Sequence, residues 1–172
     1  MMQLKSAIVV AAVMVSAAGW SYERAKNQEE FGEFEAKQIG SAPPCIQLYN
    51  HLQTYSEKYG VPFHIAIGVA GKETSYGGPF HWQYEPAQTS SANAYGAMQV
   101  QAPTASDVWK RKVTKQELLT NLEFNVHTSM KLLAKLHKRY GSWAIALGCY
   151  NTGRPIINDY ARKILSKKQY NS

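Results

Sequence analysis

The chain has 172 residues, 45% hydrophobic and 12% aromatic, with a formal net charge of +7. That length favours one folded domain with a real core. The charge suits an anionic partner, but its only dense run is Lys110-Arg111-Lys112, and no nucleic-acid-binding pattern accompanies it, so nucleic acid is set aside as a partner.

Residues 1–20 read as a signal peptide or N-terminal membrane anchor. Lys5 precedes an apolar stretch from Ala7 to Ala18, and Ser16-Ala17-Ala18-Gly19 offers the small residues of a cleavage zone. The stretch falls short of the roughly 20 apolar residues of a spanning helix. The remainder is therefore expected to work after export, in the periplasm or cell envelope. Residues 21–44 read as a charged stalk or linker, ended by Gly40-Ser41-Ala42-Pro43-Pro44. Beyond it, residues 43–172 carry 15 Lys and Arg against 7 Asp and Glu, and residues 45–172 read as the folded domain.

Within that domain the apolar period is helical. Ile46, Tyr49, Leu52 and Tyr59 mark one face of a helix stopped by Gly60, and Pro62 opens a second one running to Glu73. Residues 77–102 lose the period and carry Phe80, Trp82, Tyr84 and Tyr95 among Gly, Pro and Ser, which predicts an irregular lobe with a short hairpin. Pro103-Thr104-Ala105 starts a short helix. Two capping boxes follow, Thr114 with Glu117 and Thr120 with Glu123, the second opening a long helix that Gly141 closes. Ser142 caps a helix from Trp143 to about Tyr150. Pro155 opens the last helix, with Ile157, Tyr160 and Ile164 on one stripe. The fold class is mostly α.

Glu73 is the leading chemical candidate. Helical spacing puts it on one face with Ala66, Val69 and Ala70, and a buried carboxylate needs a reason. Desolvation and the negative end of its helix both raise its pKa, which suits a general acid. The bland alternative is a Glu at a frayed helix end. Cys45 and Cys149 are a candidate disulfide in an exported domain or two separate buried thiols. His51, His64, His81, His127 and His137 show no His-x-x-x-His or His-Glu pairing, so no metal and no other cofactor is expected.

Taken together, the motifs Tyr59-Gly60-Val61-Pro62, Glu73-Thr74, Gly96-Ala97-Met98-Gln99-Val100, Asn125-Val126 and Cys149-Tyr150-Asn151-Thr152-Gly153 resemble the ordered signature of lytic transglycosylases of the soluble-lytic-transglycosylase type, over roughly residues 45–165. Thr74 stands where that family usually has Ser, Ala97 where it has Leu, and Cys149 and Thr152 where it has Ala. The stretch between Glu73 and Gly96 is longer than in many relatives and rich in aromatics.

The resemblance implies a goose-type lysozyme-like α+β fold whose irregular lobe helps to form a glycan cleft. It implies Glu73 as the acid that protonates the oxygen bridging N-acetylmuramic acid and N-acetylglucosamine. Tyr150 is expected to orient Glu73 by a hydrogen bond, Gln99 and Asn151 to bind glycan or hold the cleft floor, and Met98 to pack beneath. Thr74 is expected to keep the hydroxyl of the Glu-Ser pair. Ser90, with Ser91 as a rival, is expected to meet the sugar's N-acetyl group. Glu57, Glu85, Asp107, Glu117, Glu123 and Asp159 match no second catalytic motif, so one residue is expected to act as acid and then base, leaving a 1,6-anhydro sugar. The implied partners are peptidoglycan strands, the inner membrane through the N-terminus, and the proteins of secretion, conjugation or phage assembly. The rival readings are a hydrolytic muramidase and a non-catalytic wall-binding factor.

Overall fold

A computed structural model of the chain describes residues 41–167. The signal or anchor reading of residues 1–20, and the stalk up to residue 40, lie outside the described residues. From Pro44 onward the described residues form seven helices and one two-stranded ribbon, in order: α1 (Pro44–Tyr59), α2 (Phe63–Glu73), β1 (Ala94–Tyr95), β2 (Val100–Gln101), α3 (Ala102–Trp109), α4 (Lys115–Thr120), α5 (Leu122–Tyr140), α6 (Trp143–Thr152) and α7 (Asp159–Leu165). Among the described residues no helix is long and apolar enough to cross a membrane. The mostly helical fold class holds, and the expected hairpin is present as antiparallel β1 and β2, with Ala94 opposite Gln101 and Tyr95 opposite Val100.

The long helix α5 is the axis of the domain, with α1, α3, α4, α6 and β2 packed around it. Val126, Met130 and Leu133 of α5 and Leu48 and Leu52 of α1 are fully buried. Each such side chain contributes about 1.5–3 kcal/mol of burial. Left-handed glycines end three helices, Gly60 after α1, Gly141 after α5 and Gly153 after α6, as αL capping requires.

Two helix starts differ from the sequence reading. Thr114 and Glu117 form the expected capping box on α4. Thr120, however, is the last residue of α4 and gives its hydroxyl to the Gln116 carbonyl. Asn121 caps α5 instead, accepting the Phe124 N–H at 2.8 Å. Likewise Pro155 lies in a loop, and α7 begins three residues beyond Ile156, with Asn158 accepting the Ala161 N–H at 3.0 Å. In both cases an Asn side chain reaches an orphan N–H. Ile157 is consequently exposed in the loop, while Tyr160 and Ile164 pack inward.

Helices α2 and α7 lie against each other, and small residues set how closely. A Cβ on Gly68 would meet Ile164 Cγ2 at 2.9 Å. With Gly68 opposite Ile164, an antiparallel pair places Glu73, five residues later, opposite Tyr160, four residues earlier. At Gly148 of α6 a Cβ would stand 1.7 Å from the Ile156 carbonyl oxygen, so the loop leading to α7 folds back directly on the α6 backbone. Those two contacts bring α7 to the C-terminal end of α2.

Candidate active site

A cleft of about 590 Å³ opens beside Glu73. Its walls include Glu73 from α2, Ser90 and Gln99 from the irregular lobe, Leu132 from α5, and Tyr150 and Asn151 from α6. The residues come from segments distant in sequence and meet because α5 holds α6 on one side and the lobe on the other.

Glu73 ends α2 and is half-buried. Burial raises its pKa above the ordinary carboxylate value, and a hydrogen bond from Tyr160 opposes that rise. The Tyr160 hydroxyl donates to Glu73 Oε1 at 2.6 Å, and among the described residues no hydrogen bond reaches Oε2. Burial and the neighbouring carboxylate hold the Tyr160 phenol well above its usual range, so it stays a donor. Among the described residues that line the cleft, Glu73 is the only carboxylate.

Tyr150 is not the hydrogen-bond donor to Glu73, which corrects the expectation drawn from the motif. Its hydroxyl donates to the Met98 carbonyl at 2.7 Å. That uses its single proton, so the Ser129 hydroxyl, 2.8 Å away, donates to it. Tyr150 still feels Glu73: burial first and the carboxylate second push its phenol upward. Its structural work is to tie α6 and α5 to the Met98 backbone.

Asn125 secures the other side of the same loop. Fully buried on α5, it accepts the Met98 N–H at 2.9 Å and donates to the carbonyls of Tyr95 at 2.8 Å and Leu118 at 3.1 Å. Gly96, at φ +76°, has no room for a side chain, because a Cβ would meet Asn125 Nδ2 at 2.4 Å and the Leu118 oxygen at 2.5 Å. Gln99 adopts a left-handed φ of 48°, uncommon for a residue with a side chain. Its Nε2 donates to the Gly96 carbonyl at 2.9 Å and the Gln88 carbonyl at 3.2 Å, which holds the turn closed.

The remaining site candidates divide clearly. Ser90 lines the cleft and accepts the Ala94 N–H at 3.2 Å, keeping its own proton for a ligand. Thr74 and Met98 do not line the cleft. Thr74 is buried, donates toward the carbonyls of Ala97 at 2.9 Å and Ala70 at 3.3 Å, and accepts from the Tyr84 hydroxyl at 2.6 Å. Those carbonyls can only accept, so Tyr84 must be the donor. Thr74 therefore locks the end of α2 to the Met98 loop. Met98 is fully buried and serves through its two backbone groups.

Cys45 and Cys149 are free thiols, not a disulfide. Cys45 is buried in the core at the first turn of α1, whereas Cys149 lies on the cleft wall in α6. Sequence reasoning passed over Tyr160 as a functional group, although the Tyr160–Ile164 stripe was the signal that its hydroxyl faces inward. It also left out Ser129 and Tyr84, which no motif marks.

The fold is similar to that of an inactive mutant of the lytic transglycosylase Slt from Pseudomonas aeruginosa, with a TM-score of 0.52 at 18% identity, covering 70% of this chain. The chain spans 18% of the length of that protein. No curated protein sequence matches significantly. The family model for the Transglycosylase SLT domain matches residues 51–172, and the chain belongs to that family.

Proposed function

We propose that this domain cleaves peptidoglycan glycan strands as a lytic transglycosylase, with Glu73 as its single acid and base. The observation that carries this reading is a half-buried carboxyl with a raised pKa, facing a cleft that has no second carboxylate among its described lining residues. Membership of the transglycosylase family and the similarity to a lytic transglycosylase solved as an inactive mutant support it.

Glu73 starts protonated and gives its proton to the oxygen between N-acetylmuramic acid and N-acetylglucosamine as the C1–O bond breaks. The sugar's own acetamido oxygen holds C1, as in substrate-assisted glycosidases. The carboxylate then takes the proton from the muramic acid O6 as O6 bonds to C1, and the bond between C1 and the acetamido oxygen breaks to restore the acetamide. The proton gained balances the proton given, no water is consumed, and the product is a 1,6-anhydro sugar. Tyr160 stabilises the carboxylate between the two steps. An exported location, before or after cleavage of the N-terminal segment, is part of this proposal, since such a substrate lies outside the cytoplasm.

Muropeptide analysis of digested cell walls tests the reading. The expected result is anhydro-terminated products from the native protein and none from Glu73→Gln. Reducing ends alone would make the enzyme a muramidase. Full wall clearing by Glu73→Gln would remove Glu73 from catalysis.

A further inference from the structure

Between α6 and α7 runs a hydrogen-bond relay that the chemistry above does not use. Asn151 lines the cleft in the last turn of α6, and its Oδ1 accepts from Asn158 Nδ2 at 3.0 Å. Asn158 spends its own Oδ1 on the Ala161 N–H at 3.0 Å, as the cap of α7. A capping Asn must point its oxygen at the helix end, so its Nδ2 is directed elsewhere, and here it meets Asn151. The helix end thus fixes the amide orientation of Asn158, and Asn158 fixes that of Asn151. With Oδ1 turned to Asn158, the amide presents its Nδ2 as the free donor.

We propose that Asn158 is a positioning residue that locks Asn151 as a hydrogen-bond donor to an acceptor oxygen of the bound glycan. The inference rests on the glycan-cleaving reading of the cleft. Two neighbours have fixed polarity by the same logic. Gln99 commits its Nε2 to two backbone carbonyls and keeps Oε1 as an acceptor. Ser90 accepts a backbone N–H and keeps its proton as a donor. A wall offering donors at Asn151 and Ser90 and an acceptor at Gln99 matches an acetamido group, which carries one N–H and one carbonyl. An unlocked Asn151 rotates freely between donor and acceptor and loses half of that match.

Asn158→Asp separates positioning from capping. Aspartate caps a helix as well as asparagine does, so α7 stays formed, but its carboxylate cannot donate to Asn151. Asn151 then turns its Nδ2 toward Asp and presents Oδ1 to the cleft, an acceptor facing an acceptor. On solubilised glycan strands, KM is expected to rise about tenfold with kcat within about twofold of the parent, since a lost uniform binding contact moves KM alone. In the inactive Glu73→Gln background, Kd for the same strands rises by the same factor. Asn151→Ala raises KM similarly, and adding Asn158→Asp to it has no further effect.

Parent-like KM and Kd in Asn158→Asp overturn the proposal. So does a fall in kcat at constant KM, which places the effect in α7 and Tyr160, and so does additivity of the two substitutions. The glycan-cleaving reading fails separately, by the parent protein releasing no cleavage product from the same strands.

Discussion

Replacing Tyr160 by Phe removes one hydroxyl and with it the 2.6 Å hydrogen bond to Glu73 Oε1. The bond is short and its acceptor is ionised after proton transfer, which puts it in the charge-assisted class worth about 1.5–3 kcal/mol. At 1.36 kcal/mol per factor of ten, losing it from the carboxylate formed in the first step lowers kcat by roughly 10- to 150-fold. The sign on the pH profile is also set. Tyr160 lowers the Glu73 pKa against the rise caused by burial, so Tyr160→Phe lets it rise further, and the alkaline limb of kcat moves to higher pH. Above the parent limb more of the variant is protonated, so the deficit narrows there. Initial rates on solubilised glycan across pH 4–9 read both effects. Tyr150→Phe is the control: it leaves the Met98 carbonyl and the Ser129 hydroxyl without their partner, costing about 1–3 kcal/mol of stability while leaving the limb in place. A Tyr160→Phe enzyme with parent kcat and an unmoved limb, or a limb that moves only in Tyr150→Phe, refutes the assignment of the two tyrosines.

The same geometry fixes three further outcomes. Because burial raises the Glu73 pKa, its protonated form is the one the fold favours. Its contribution to stability is present in full below the unfolded-state pKa and is lost as pH rises through the folded one. Calorimetry is therefore expected to show Glu73→Gln melting at the parent temperature near pH 4 and above it at pH 8; a lower Tm at pH 8 would contradict the burial argument. Gly96→Ala puts a Cβ against Asn125 and the Leu118 carbonyl at a left-handed φ, so it is expected to cost about 3 kcal/mol or more by denaturant titration, and a loss under 1 kcal/mol would show that the loop yields. Thiol titration under native conditions is expected to find Cys149 reactive and Cys45 protected until unfolding, as their positions require; titration of neither after unfolding without reductant would restore the disulfide.

How far each feature was legible depended on whether its cause is local. Gly60 and Gly141 end their helices in αL conformation, a demand made within one turn of chain, and they read correctly, whereas the helix expected to end at about Tyr150 runs on to Thr152 and Gly153. The ambiguous starts were those where two polar candidates compete. Thr120 and Asn121 are adjacent, and either can cap a helix, but α4 runs through Thr120 and leaves the cap to Asn121. Pro155 suits a first helical turn, yet the Ile156 carbonyl is seated on Gly148, which holds that stretch out of a helix. Longer-range facts were less visible. Glu73 and Tyr160 are 87 residues apart, and no spacing rule joins them. Their meeting follows from Gly68 against Ile164, a pair recognisable only once α2 and α7 are known to be antiparallel neighbours. Thr74 and Met98 take part in holding the motif's loop together and do not line the cleft.

A single carboxyl that both gives and takes a proton needs a pKa between extremes, and the surroundings of Glu73 supply two opposed pressures. Burial alone would hold the proton too firmly for donation, since the carboxylate left behind would be costly in a dry site. A carboxyl in water with the same tyrosine would be ionised at neutral pH and unable to start the reaction. Glu73 sits half-buried on the cleft wall with one oxygen on Tyr160, so the donating state and the accepting state are each supported by a different feature. In enzymes with two carboxylates these pressures are separated, one group buried and raised, the other hydrogen-bonded and lowered. Here they converge on one residue, and α7 is what makes that convergence possible. The helix carries Tyr160, and its cap Asn158 reaches the cleft wall at Asn151. Shifting α7 by one residue would therefore disturb the proton balance at Glu73 and the donor pattern at Asn151 together.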